Sequence, residues 1–102
     1  MKLPQTRAKI LFTHTDTLKG KQEIFSFLLK TISKIQYEYE IPNKRTEIIF
    51  EDGHSNNSII MEFFREYKIR YKMFPHEWRD FILRYLKEDD LYFIIKMKEE
   101  TL

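Results

Sequence analysis

Residues 58–66, Ser-Ile-Ile-Met-Glu-Phe-Phe-Arg-Glu, decide how this chain folds. Read as extended, they pair with residues 47–51, Glu-Ile-Ile-Phe-Glu, across the Asp52-Gly53 turn and form a hairpin. Read as a helix, they make the whole chain an alternation of strands and helices. Ile59, Ile60, Phe63, Phe64 and Tyr67 fall at i, i+1, i+4, i+5 and i+8, which is one helical face. Ser55-Asn56-Asn57-Ser58 offers N-cap side chains just ahead of it. Spacing and caps together favour the helix.

Working outward, residues 67–73 alternate strictly. Tyr67, Ile69, Tyr71 and Met73 face one way and Lys68, Arg70 and Lys72 the other, as in a half-buried strand. Pro75 suits the first position of a helix running to about Leu86, with Trp78, Phe81, Ile82, Tyr85 and Leu86 as its apolar face. Asp89-Asp90 breaks that helix, and Leu91 to Met97 makes a last strand. On the other side, residues 8–13 form an apolar strand that ends at His14-Thr15-Asp16-Thr17. A helix over about 20–37 follows, with Ile24, Phe25, Leu28, Leu29, Ile32 and Ile35 at helical spacing and Asp16 or Thr17 as its expected N-cap. Pro42-Asn43 marks the turn into the strand at 47–51.

The predicted order is β-α-β-α-β-α-β in one domain over residues 1–102, with 1–6 and 98–102 frayed. The fold class is α/β or α+β: a sheet of about four strands with three helices. The pattern does not set the strand order, and it leaves the third or fourth strand open to an antiparallel placement.

Composition excludes several chemistries. Without cysteine there is no disulfide framework, thiolate zinc site, iron–sulfur cluster or cysteine nucleophile. Two glycines rule out a phosphate-cradling Gly-rich loop. At 42% hydrophobic and 16% aromatic, the chain is too apolar to be disordered. A net charge of +2 is too small to dictate a nucleic-acid partner. No apolar run reaches the roughly 18–20 residues of a membrane span. Met1 to Arg7 carries charge but no apolar signal segment, so a cytoplasmic protein is the expectation. Thirteen isoleucines, no valine and one alanine follow the bias of AT-rich codons, which points to a low-GC bacterium, its phages or its plasmids.

The three histidines each follow a predicted strand: His14 the first, His54 the second and His76 the third. Ligands of open α/β sheets bind beyond the carboxyl ends of strands. Parallel first and second strands would bring His14-Thr15-Asp16 and Asp52-Gly53-His54 to one edge. His14, Asp16, Asp52 and His54 are therefore the candidate ligands for zinc or a similar divalent metal. Against this, no short His-x-x-x-His spacing is present, and loops tolerate histidine freely.

Asp52 followed by Glu66-Tyr67-Lys68 resembles the Asp…Glu-x-Lys signature of metal nucleases with the restriction-endonuclease-like fold. The resemblance implies carboxylates on a divalent cation and a lysine steadying the attacking water. It departs from that family in placing a helix between the two parts of the motif. Lys68, Arg70 and Lys72 form a basic stripe, but strand alternation separates them from Tyr67 and Tyr71, so they build no stacking platform for bases. A solvated face or a docking surface for an acidic partner suits them better. Phe74-Pro75-His76-Glu77-Trp78 reads as the start of a core helix face, with an exposed aromatic anchor as the other reading.

In size and composition the chain resembles small phage or mobile-element inhibitors of bacterial defence, of the anti-CRISPR type. That resemblance implies a non-enzymatic binding protein that blocks a Cas nuclease by steric occlusion. Its candidate surfaces are Glu88-Asp89-Asp90 and Glu38-Tyr39-Glu40 as phosphate mimics, and Lys68, Arg70 and Lys72 as a basic face. A metal-dependent hydrolase or nuclease on the histidine edge is the second expectation, and a small nucleic-acid-binding regulator the third. No feature of the sequence sets an oligomeric state.

Overall fold

Residues 58–66 are helical. The computed structural model describes residues 7–89 and 91–98 and contains β1 (Ala8–Thr13), α1 (Gly20–Tyr39), β2 (Thr46–Glu51), α2 (Asn57–Glu66), β3 (Arg70–Phe74), α3 (Arg79–Leu86) and β4 (Leu91–Lys96). Single 3-10 turns occupy Asn43–Arg45 and His76–Trp78. The expected frayed residues 1–6 and 99–102 and the acidic candidate Asp90 lie outside the described residues. The chain is a mixed α/β domain in the predicted element order.

The four strands form one sheet in the order β3-β2-β1-β4, and every neighbouring pair is parallel. The antiparallel placements left open for the third and fourth strands do not occur. β1 and β2 sit in the middle, and all of Ile48, Ile49 and Phe50 are fully buried. Such continuous apolar runs are what a central parallel strand requires, because both of its faces are covered. Each of these side chains contributes roughly 1.5–3 kcal/mol of transfer free energy.

Handedness distributes the helices. A β–α–β crossover is nearly always right-handed. The path from β1 to β2 to β3 steps in one direction across the sheet, so α1 and α2 share a face. Ile10, Phe12, Ile48 and Phe50 meet Ile24, Leu28, Ile32 and Ile35 of α1 and Ile60, Phe63 and Phe64 of α2 there. The path from β3 to β4 returns past β1 and puts α3 on the opposite face. Leu11, Ile49 and Phe74 meet Ile82 and Leu86 of α3 on that side. No described helix is long and apolar enough to cross a membrane.

Three local expectations are corrected. β3 begins at Arg70, and Tyr67 to Ile69 form the turn that caps α2. Lys68 adopts a left-handed backbone (φ 57°), its N–H bonds Arg65 O at 3.3 Å, and the Ile69 N–H bonds Phe64 O at 3.0 Å. This paired-bond cap closes the helix, and Tyr67 lies against Phe63 with ring centroids 4.5 Å apart. Next, neither Asp16 nor Thr17 caps α1, whose N-cap is Lys19; the Lys19 N–H reaches Glu23 Oε2 at 2.7 Å instead. Last, Trp78 and Phe81 do not join the core: they are 54% and 50% exposed, edge to face on each other. α3 has only 8 residues, and Ile82 and Leu86, one turn apart, take its inward stripe.

The cap at Lys68 carries a cost that glycine would not, since a Cβ in the left-handed region is disfavoured. Lys68→Gly should stabilise the protein by about 1 kcal/mol, read as a higher urea midpoint at unchanged slope. A lower midpoint would show that the contacts of the Lys68 side chain outweigh the strain of its backbone.

Candidate functional site

Parallel strands send all their carboxyl ends to one edge. The order β3-β2-β1-β4 reverses direction between β1 and β4, and the crevice beyond such a reversal is where open α/β sheets bind ligands. A cleft of about 530 Å³ lies there. Leu11, Phe74 and Ile82 form its floor, and Leu83 and Ile94 form an apolar side that stays 40% and 54% exposed. His14, Glu51, His54, Arg79 and Lys96 supply the polar rim.

A chain of charged groups ties the loops around this cleft together. His54, after β2, places Nδ1 2.8 Å from Asp16 Oδ2 and Nε2 2.8 Å from Glu51 Oε1. Both nitrogens face carboxylates, so the ring is held as the imidazolium, donating from each. Glu51 also takes His76 Nδ1 at 3.2 Å and Arg79 Nη2 at 3.3 Å on its other oxygen. Asp16 further accepts from the Ser55 hydroxyl (2.9 Å) and the Asn56 N–H (3.2 Å). Asn56, one of the expected caps, is the N-cap residue of α2, but its side-chain amide donates to Thr15 O at 2.7 Å and Leu18 O at 2.9 Å and makes no bond to the helix. The loop after β1, the loop after β2 and the start of α3 are thus laced into one rim.

The titrations follow from this geometry. Hydrogen bonds to Glu51 and then to Asp16 raise the His54 pKa above its ordinary 6.5, against an opposing effect of burial. The hydrogen bond from His54 is the largest cause lowering Glu51, with Arg79 and His76 adding to it against burial. It is likewise the largest cause lowering Asp16, helped by Ser55 and Asn56.

Of the four candidate metal ligands, the structure brings together Asp16 and His54 and separates the others. His14 points Nδ1 at Thr13 Oγ1 (3.0 Å), and Asp52 folds Oδ1 onto the Gly53 N–H of its own turn (2.8 Å). His54 has neither nitrogen free to present a lone pair. Among the described residues no group of three or more His, Asp and Glu side chains is placed to hold a metal ion. The nuclease-like set is not assembled either. Asp52 stands at the carboxyl end of β2, whereas Glu66 and Lys68 stand at the end of α2, on the amino side of the sheet. Glu51, the hub of the site, was readable as a same-face partner of Glu47 and Ile49, but its identity as a hub depends on loops that converge only in space.

The partner-surface candidates are also dispersed. Arg70 and Lys72 share a face of β3, while Lys68 lies in the helix cap. Lys72 is held by the Tyr85 hydroxyl (2.9 Å) and Glu47 (3.5 Å), with Tyr85 the main cause of its raised pKa. Glu88 is exposed, and Asp89 pairs with Lys9 at 3.7 Å.

The His54 clamp gives stability a signed pH dependence. A raised histidine contributes fully below its ordinary 6.5 and loses that contribution as pH rises through the folded value. The lowered Asp16 and Glu51 contribute above their ordinary 3.8 and 4.5 and lose it as pH falls. Stability should therefore peak in mildly acidic solution and decline toward pH 8. Urea midpoints of wild type and His54→Ala across that range measure it, and the alkaline decline should vanish in the variant. An equal decline in both proteins would place it elsewhere.

Comparison with known protein families, characterised proteins and solved structures finds no match.

Proposed function

We propose that the protein is a binding module, and that the carboxyl-edge cleft takes a small organic anion with an apolar body. The observation that carries this reading is an apolar side, Leu83 and Ile94, left open to solvent beside Lys96 and Arg79 at the strand-order reversal. Ligand sites combine a mostly apolar wall with few, placed polar groups, and this cleft has that composition. Lys96 supplies the positive charge for the anionic end, beside Arg79, which already pairs with Glu51. The clamp on His54 pre-organises the loops, which lowers the ordering cost of binding.

Anilinonaphthalene sulfonate, an aromatic anion that fluoresces in apolar sites, is a direct probe. Saturable one-to-one binding to the folded protein is expected. Ile94→Glu and Lys96→Glu should each weaken it tenfold or more, about 1.4 kcal/mol. Ile94 is exposed, so its substitution leaves the core intact. Absent saturation, or binding indifferent to both variants, would overturn the reading.

A second reading is the occluding inhibitor of a Cas-type nuclease. It is favoured by exposed Trp78 and Phe81, packed on each other outside the core, since Trp anchors are enriched at interface centres. Excess protein added to a panel of type II Cas nucleases should stop DNA cleavage by one of them, and Trp78→Ala with Phe81→Ala should restore it. Undiminished cleavage across the panel would remove this reading.

A further inference from the structure

The opposite edge of the sheet carries a different chemistry. Arg7 enters β1, Arg45 enters β2 and Arg70 opens β3, so parallel pairing delivers all three to the amino edge. They line one recess of about 210 Å³, shared with Lys9, Glu47, Lys72, Tyr85 and Asp89. The two carboxylates there are already engaged. Asp89 pairs with Lys9 (3.7 Å), whose ammonium also donates to Tyr85 O (2.9 Å) and lies 3.5 Å over the Tyr85 ring. Glu47 pairs with Lys72 (3.5 Å) and accepts from the Tyr85 hydroxyl (2.6 Å).

The three guanidiniums have no carboxylate among the described residues. The one hydrogen bond their guanidiniums make to the described residues is Arg70 Nη2 to Lys44 O at 3.3 Å. Five cations against two carboxylates leave a surplus larger than the +2 of the whole chain. The surplus does not stop at the recess. A neighbouring shallow groove shares Glu47, Arg70 and Lys72 with it and adds Arg65 and Lys68. The result is a basic track along the β3 edge.

We propose that this track binds the phosphate backbone of a nucleic-acid duplex. Guanidinium forks match phosphate oxygens two at a time. A continuous line of like charge calls for a ligand with repeated anions, and such binding gains from released counterions. Protein interfaces are built around desolvated apolar anchors, and no exposed large apolar side chain lines either recess. Tyr71 stacks on Phe50 inside the domain, with centroids 5.9 Å apart, and Tyr85 is covered by Lys9. No ring that lines the two recesses is among the exposed aromatics, so the track reads backbone and not bases, which favours a duplex over a single strand.

The test is a fluorescence-anisotropy titration of a labelled 20-base-pair DNA duplex (about two helical turns) at rising salt. Binding should weaken linearly in log–log form, with a slope of about 0.9 per phosphate contacted. Arg7→Glu and Arg70→Glu, both at exposed residues, should each lower affinity tenfold or more and make the slope shallower, with unchanged melting. Lys30→Glu, on the exposed side of α1, should change affinity far less. Three results would overturn the proposal. One is absence of salt-sensitive duplex binding by the folded protein. Another is polyglutamate binding at least as tightly as DNA, which would make the partner an acidic protein. The third is saturable inorganic pyrophosphate binding without duplex binding, which would make it a small phosphate compound.

Discussion

The right-handed crossover is the constraint from which the rest of this structure follows. Two crossovers in one direction place α1 and α2 side by side on one face, and the third, reversing past β1, sends α3 to the other. The first face is sealed by a 20-residue and a 10-residue helix, the second by 8 residues alone. A short helix covers only part of a four-stranded sheet. The uncovered part beyond its start becomes the cleft, and the part beneath its end becomes a polar layer.

That polar layer explains an otherwise costly arrangement. Lys9 and Glu47 are 5% and 9% exposed, each beside the apolar centre of its strand (Ile10 to Phe12 and Ile48 to Phe50). A buried charge is tolerated when it is paired and hydrogen-bonded. Tyr85 does both jobs: its carbonyl and ring hold Lys9, and its hydroxyl donates to Glu47 while accepting from Lys72. Burial is accordingly the leading cause of the raised Tyr85 pKa, with Glu47 adding to it. α3 therefore docks through two contacts of different kind, the apolar pair Ile82 and Leu86 and the charge network at Tyr85.

Periodicity made the helices and the element order legible, because an amphipathic face is a property of one segment. Strand direction was not legible, since parallel pairing depends on which crossover returns past which strand. The alternation at 67–73 misled for a local reason. Lys68 turns left-handed and closes α2, so the side chains before it follow the helix and not the strand. Trp78 misled because it ends the 3-10 turn ahead of α3, and the helix reaches the core through Ile82 and Leu86, with Tyr85 packed against them. At the site, His54 and Asp16 were visible as loop residues following strands. Glu51, His76 and Arg79 became their neighbours only through the order of the sheet.

A parallel sheet also converts position along the chain into position in space. Residues that enter strands gather at one edge and residues that leave strands gather at the other. Here the entries are Arg7, Arg45 and Arg70, and the exits hold Asp16, Glu51 and the histidines. Helix ends reinforce this division, because α1, α2 and α3 all run back from the carboxyl edge to the amino edge. Their positive N-terminal ends lie toward the carboxylates of the clamp, while Arg65 and Arg84 sit in the last turns of α2 and α3, against negative ends. In an antiparallel sheet the same residues would alternate between edges and largely cancel. A chain of net charge +2 thus presents a basic edge and a mixed, loop-laced edge, and it is their separation, more than the total, that gives each its chemistry.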